Sequence, residues 1–293
     1  MSFFRKIIKK LLGFFGIDTK KALDNFDIWI LKTALREQKL TSMAEILKKI
    51  IPDISKQEER ERKSFSMYAE TKRRGLQAFQ CTLMLEALKE INGKEITVVD
   101  IGDSAGTHMI YLKKLAEDDF VINTLSVNLD QRAIEKIRAR GLKAMLCRAE
   151  DLDLGDKRVD LFTSFEMVEH LHNPAIFFRR LAKKSKCELM LITVPYCKVS
   201  RIGLHYLRNG DANELFAEDE HIFELSPNDW SLLFLHSGWK VVRSKIYYQY
   251  PRWIPVVSQV LEIVWKRRDY EGFWGAILKK DTTFSDLYKD WEE

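Results

Sequence analysis

Val98-Val99-Asp100-Ile101-Gly102-Asp103-Ser104-Ala105-Gly106-Thr107-His108 is the stretch on which the fold turns. An apolar run ends in an acid, two glycines bracket three small residues, and a helical pattern follows. This is how a buried strand turns sharply into a helix whose N-terminus faces a ligand. Glycine lets the backbone come close to the ligand, and the first turn of a helix offers unpaired N–H groups.

The residues Gly102 to Gly106 also read G-x-S-x-G, the turn that presents a serine nucleophile in α/β-hydrolases, here Ser104. Such an elbow sits deep in its sheet and needs an oxyanion loop upstream. The first 95 residues read as helices and hold no histidine and no His-Gly-Gly run. A nucleotide-type turn instead opens the sheet, and a strand ending in a polar ribose-binding group follows within about 30 residues. Val121 to Val127 is that strand, with Asn128 and Asp130 at its end. The nucleotide-type reading is favoured on this ground. NAD is the weaker ligand, because the spacing is not G-x-G-x-x-G.

From Ile96 onward strands and helices alternate. Strands are expected at 96–100, 121–127, 143–148, 159–165, 188–194, 239–248 and 273–279, and helices at 107–117, 130–140, 174–184 and 227–237. The pattern predicts a Rossmann-like α/β sheet of seven mostly parallel strands, preceded by an N-terminal helical extension. Ligands bind such sheets at the carboxyl ends of the strands. Those ends carry Asp100 with the glycine turn, then Asn128, Leu129 and Asp130, then Glu150 and Asp151, then Phe165 and Glu166 leading to Glu169 and His170.

Val98 to Gly106 resembles motif I of the class I S-adenosylmethionine-dependent methyltransferases, usually close to V-L-D-I-G-C-G-x-G, with Ser104 at the middle glycine. The resemblance covers roughly residues 76 to 248. It is closest to the branch containing the ubiquinone-type O-methyltransferases, where a segment like Glu166-Met167-Val168-Glu169-His170 recurs. Glu218-Asp219-Glu220-His221-Ile222-Phe223-Glu224-Leu225-Ser226-Pro227, leading to Ser237-Gly238-Trp239, resembles that branch's substrate-side loop and helix. The resemblance implies S-adenosyl-L-methionine as cofactor and S-adenosyl-L-homocysteine as product. It assigns Asp100, Gly102, Ser104 and Gly106 to the cofactor's amino-acid end and Asn128, Leu129 and Asp130 to its ribose. Glu150 and Asp151 fall to the adenine amine, and Phe165 and Glu166 to the methionine end. Two positions depart from the family pattern: Ser104 replaces a glycine, and Asn128 stands where a ribose-binding acid is usual. An asparagine cannot take two hydroxyls with a charged carboxylate.

A hydroxyl acceptor needs a base, and His170, His221 and Glu169 are the candidates. The bland alternatives are a structural role for His170 and simple exposure for His221. His108 could line the pocket, and His172 could cap the helix begun by Asn173-Pro174. The pair His170-x-His172 beside Glu166 and Glu169 hints at a metal, but no further ligand cluster accompanies it, so no metal is expected.

Residues 1 to 21 carry six basic side chains and one acid, which equals the net charge of +5 for all 293 residues. The rest of the chain is neutral overall, so no nucleic-acid partner is expected. Within residues 3 to 15, apolar side chains fall at 3, 4, 7, 8, 11, 12 and 15, opposite Arg5, Lys6, Lys9 and Lys10. This predicts an amphipathic helix over 1–17 lying on an anionic membrane surface, or else docked on protein. It is too short to span and lacks a cleavage site for secretion. The four cysteines form no C-x-x-C pair, which fits a reducing compartment.

Residues 18–75 are read as a helical extension and linker, with a charged run at 56–63 and a long helix over 67–91 interrupted near Gly75. Residues 76–285 form the methyltransferase domain, with an acceptor-side insertion near 196–225 and a helical insertion near 249–270. The expected function is O-methylation of a glycan or lipid-linked acceptor by a cytoplasmic enzyme peripheral to the inner face of the membrane. The alternatives are a catalytically inactive binding or assembly module and, less favoured, a hydrolase using Ser104.

Overall fold

The computed structural model describes residues 19–55, 66–202, 221–253, 255–268 and 270–288. Three helices, α1 (Thr19–Glu37), α2 (Thr41–Ile50) and α3 (Met67–Leu88), precede the sheet. The chain then alternates through β1 (Glu95–Ile101), α4 (Thr107–Leu115), β2 (Val121–Asn128), α5 (Gln131–Ala139), β3 (Ala144–Leu146), β4 (Leu161–Phe165), α6 (Pro174–Lys184) and β5 (Leu189–Pro195). An antiparallel pair of short strands, β6 (Arg201–Ile202) and β7 (Phe223–Glu224), precedes α7 (Pro227–His236), β8 (Trp239–Tyr248), α8 (Pro255–Arg268) and β9 (Gly272–Lys280).

The seven-stranded sheet has the order β3-β2-β1-β4-β5-β9-β8. Its first five members are parallel, and β9 lies antiparallel between β5 and β8. β5 is buried at every position, as expected of a central parallel strand covered on both faces. Strand order reverses between β1 and β4, so a crevice opens beyond their carboxyl ends.

Alternate strand residues feed two cores. Ile96, Val98 and Leu191 pack with Leu83, Met84, Tyr111 and Leu112 of α3 and α4. Val99, Phe162 and Ile192 pack with Phe177, Phe178, Trp230 and Phe234 of α6 and α7. α3 lies close against the sheet because Gly275 has no side chain. A Cβ there would stand 2.3 Å from Leu83 Cδ1.

Helix starts follow capping chemistry. Ser66 Oγ accepts from Ala69 N at 3.1 Å, and Asn173 Oδ1 accepts from Ile176 N at 3.1 Å just before Pro174. The cap of α6 is therefore Asn173, and His172 is exposed.

Several expectations need correction. α3 runs unbroken through Gly75, so a boundary at 75/76 cuts a helix. Its buried Arg74 pairs with Glu70 at 2.9 Å and donates to the carbonyls of Ile51 (3.1 Å) and Pro52 (2.7 Å). On α1, Ile30 and Leu35 are buried, while Phe26 and Trp29 are exposed and stacked at 5.8 Å. β3 is shorter than the run from 143 to 148. The N-terminal segment 1–17, the charged run at 56–63 and most of the acceptor-side insertion lie outside the described residues. Among those described, no helix is long and apolar enough to cross a membrane.

Candidate active site

The turn after β1 is organised by its own acid. Asp103 Oδ1 accepts from Ala105 N (3.1 Å) and Gly106 N (2.7 Å), and its Oδ2 accepts from Ser126 Oγ at 2.6 Å. Gly102 and Gly106 both have positive φ, +90° and +73°. A Cβ at Gly102 would lie 2.5 Å from Met167 Cγ, and one at Gly106 2.5 Å from Leu142 Cδ1. Both glycines are thus required by conformation and by space.

Asp100, at the end of β1, is buried. Its Oδ1 accepts from Thr163 Oγ1 at 2.8 Å, while Oδ2 has no partner. Burial, then the neighbouring Asp103 charge, hold its carboxyl well above the usual range. Burial also raises Asp103, against the hydrogen bonds of Ser126, Ala105 and Gly106. Across the crevice, Glu166 follows β4 in a left-handed conformation, φ 52°, uncommon for a residue with a side chain. Its N–H donates to Thr193 O at 2.9 Å, its Oε1 has no partner, and burial lifts its carboxyl to about 8.

The roof of the cleft comes from α3, which the sequence reading did not include in the site. Arg73, Gln77 and Gln80 line it together with Asp100, Ser104 and Glu166. Gln80 Nε2 donates to Thr193 Oγ1 at 2.9 Å, and its Oε1 meets His108 Nε2 at 2.9 Å. The His108 ring packs on Phe165 with centroids 4.5 Å apart. Burial, then the Arg73 charge, push the imidazole down to about 3. His108 is therefore neutral, and with Gln80 accepting it carries its proton on Nε2. The legible signal for this wall was two glutamines in a helix otherwise rich in core residues.

The ribose positions are engaged within the protein. Asn128 Nδ2 donates to Asp103 O at 3.0 Å, and Asn128 Oδ1 accepts from Asp130 N at 2.8 Å. Asp130 caps α5 through Arg132 N at 2.7 Å and pairs with the Arg132 guanidinium at 2.9 Å. Leu129 is 60% exposed at the same strand end. Glu150 and Asp151 form a short 3-10 turn after β3 and neighbour Arg148 and Arg180. None of these lines the cleft of Asp100 and Glu166.

A second cluster stands beyond β4. Glu169 and His170 sit in a 3-10 turn, and Ile222 N donates to Glu169 O at 2.9 Å, which brings His221 alongside. The His170 and His221 rings meet edge to face at 4.6 Å. Tyr270 Oη lies 2.7 Å from both His221 Nδ1 and Glu224 Oε1. Arg201 is also hydrogen-bonded to Glu224. Burial works against the Glu224 charge, but bonds from His221, Arg201 and Tyr270 outweigh it and hold the carboxyl at about 2. The three expected catalytic residues are thus brought together. Tyr247 and Tyr250 are core residues and do not line the cleft.

The cleft fits S-adenosylmethionine. Its acids, two of them with an unpartnered buried oxygen, suit a sulfonium and an ammonium, and Arg73 suits the carboxylate of an amino-acid end. A hydrolase elbow does not fit, because the Ser104 turn follows the first strand of the sheet.

A family model described as a methyltransferase domain matches residues 72–244. Among solved structures, the chain is similar to the O-methyltransferase from a trans-AT PKS multienzyme of Brevibacillus brevis, in complex with S-adenosyl-L-homocysteine. The two share 16% identity over 76% of this chain and 82% of the other, with a TM-score of 0.50. It is also similar to a candidate sarcosine dimethylglycine methyltransferase from Galdieria sulphuraria, at 13% identity over 72% and 87% of the two chains and a TM-score of 0.52. No curated protein sequence matches the chain. The fold, the cleft and the family match over more than half the length agree: the chain belongs to the methyltransferase-domain family and is a class I S-adenosylmethionine-dependent methyltransferase.

Proposed function

We propose that the enzyme methylates a hydroxyl group on a glycan or lipid-linked acceptor at the inner surface of a membrane. The observation that carries the O-methylation is the chain of contacts Glu224–Tyr270–His221. Tyr270 Oη donates to Glu224 Oε1, so it accepts from His221 Nδ1–H. In the neutral ring that assigns the proton to Nδ1 and leaves the Nε2 lone pair for chemistry. His170 lies against the same ring, and Glu169 precedes it.

When bound, the cofactor would supply an activated methyl group for transfer to the acceptor oxygen, with the C–S bonding pair returning to sulfur. Asp100, Glu166 and Arg73 would hold and orient its methionine end. The Glu169–His170–His221 cluster is where the acceptor proton leaves. Tyr196, just beyond β5, meets Tyr248 edge to face at 5.7 Å, and the Arg252 guanidinium lies 4.4 Å above the Tyr248 ring. Such aromatic surfaces suit the C–H faces of sugars. The membrane part of the reading is supported by the basic, amphipathic sequence of residues 1–17.

A binding module without activity is the second reading, favoured by the internal engagement of Asn128 and Asp130. Incubation with methyl-labelled S-adenosylmethionine and a membrane glycolipid extract separates the two. Label in a glycolipid supports the enzyme, and cofactor binding without transfer to any extract supports the module. Co-sedimentation with anionic vesicles, with and without residues 1–17, tests the surface location. Equal pelleting of the two forms would remove it.

A further inference from the structure

Glu169 is 1% exposed, and neither of its carboxylate oxygens has a hydrogen-bond partner. Leaving a buried carboxylate uncompensated costs several kcal/mol. Protonation does not resolve this, because the neutral acid gains an O–H that also needs an acceptor. Beside it stand two imidazoles. One ligand atom each from Glu169, His170 and His221 lie within 4.8 Å of one another. A cation bound at about 2.1 Å from each would hold such atoms about 3 to 3.5 Å apart, within reach of small side-chain rotations.

The support behind His221 is what a metal-ligating histidine requires. Its Nδ1–H is held by Tyr270, which is in turn held by Glu224, so in the neutral ring Nε2 is the nitrogen offered to a cation. Glu166, three residues before Glu169, adds a third buried oxygen without a partner.

We infer that Glu169, His170 and His221 form a site for one divalent transition-metal cation, of the Mn2+ or Zn2+ kind that accepts mixed carboxylate and imidazole ligands. Three protein ligands leave positions open for the acceptor. A hydroxyl bound there releases its proton to solvent more readily, and its oxygen is held for methyl transfer. This deepens the O-methylation reading and rests on it. It departs from the expectation of no metal, which had His170-x-His172 with Glu166 and Glu169 in view but not His221. The fold turns His172 outward and brings in His221 from 51 residues downstream of His170 instead.

The test uses the full chain, stripped with chelator and dialysed. Mn2+ is titrated by electron paramagnetic resonance and Zn2+ by calorimetry, with S-adenosyl-L-homocysteine titrated separately. The expected result is one equivalent of cation. Affinity should fall at least about 30-fold in Glu169→Gln and in His221→Ala, and stay within about threefold in His172→Gln, with homocysteine-product binding retained throughout. No saturable binding to the parent chain overturns the site. So does an equal loss in His172→Gln, which would mark adventitious histidine binding. Cation failure with product binding intact sinks the metal site alone, whereas absence of product binding sinks the methyltransferase reading.

Discussion

Asn128 Nδ2 donates to the main-chain carbonyl of Asp103 at 3.0 Å, which ties the end of β2 to the turn after β1. A side chain at the ribose position thus acts as a strut for the cofactor turn. Replacing Asn128 with Asp restores the acid usual in the family but removes the donor and sets a negative charge beside the Asp103 carbonyl. The expected outcome is weaker S-adenosylhomocysteine binding, by about 3- to 10-fold, with a stability loss of about 1–2 kcal/mol. Tighter binding in calorimetry would show that ribose contact, and not the strut, governs this position.

Asp103 satisfies two turn N–H groups and a serine hydroxyl at once. Asp103→Ala leaves these donors without their acceptor and should lower stability by about 2–3 kcal/mol. Asp103→Asn keeps an acceptor for the N–H pair and should cost less. Denaturant midpoints for the two variants provide the comparison, and equal losses would contradict the arrangement.

Arg73 is the basic side chain that α3 contributes to the cleft wall. Arg73→Met removes the partner offered to the cofactor carboxylate while keeping much of the stem. Affinity for the cofactor should fall about 10- to 100-fold, a loss of about 1.4–2.8 kcal/mol. An unchanged dissociation constant would place the amino-acid end elsewhere.

His108 supplies a pH dependence with a definite sign. Its folded value, pushed down to about 3 by burial and then by Arg73, lies below the ordinary 6.5. Between those limits the unfolded chain binds more protons than the folded one. The contribution of His108 to stability is therefore complete above about pH 6.5 and is lost as pH falls toward 3. Its slope approaches about 1.4 kcal/mol per pH unit within that window. His108→Gln should flatten the loss of stability between pH 7 and pH 5 relative to the parent. Parallel curves from urea melts at the two pH values would contradict the assignment.

The alternation of apolar runs with helical periodicity placed all seven strands of the main sheet, most clearly where a central parallel strand needs a continuous buried segment. β5, apolar throughout and buried throughout, is the clearest case. The glycine turn was equally legible, since Gly102 and Gly106 stand where the backbone has positive φ and no room for a Cβ. What the sequence hid was long-range. Arg73, Gln77 and Gln80 reach the cleft only because α3 lies against the sheet, and a helix's periodicity does not say which ligand its polar positions will face. His221 joins His170 through the Ile222–Glu169 backbone bond, a contact that spacing alone does not encode. Asn128 and Asp130 were legible as residues at a strand end, but their hydrogen bonds inside the protein were not.

Calorimetric titration of the full chain with S-adenosyl-L-homocysteine, repeated with Arg73→Met, tests the central claim most directly. The account predicts one saturable site in the micromolar range that the substitution weakens by about tenfold or more. Absence of binding at millimolar ligand, or binding that Arg73→Met leaves untouched, would contradict a cofactor cradle formed by Asp100, the Gly102–Gly106 turn, Glu166 and α3.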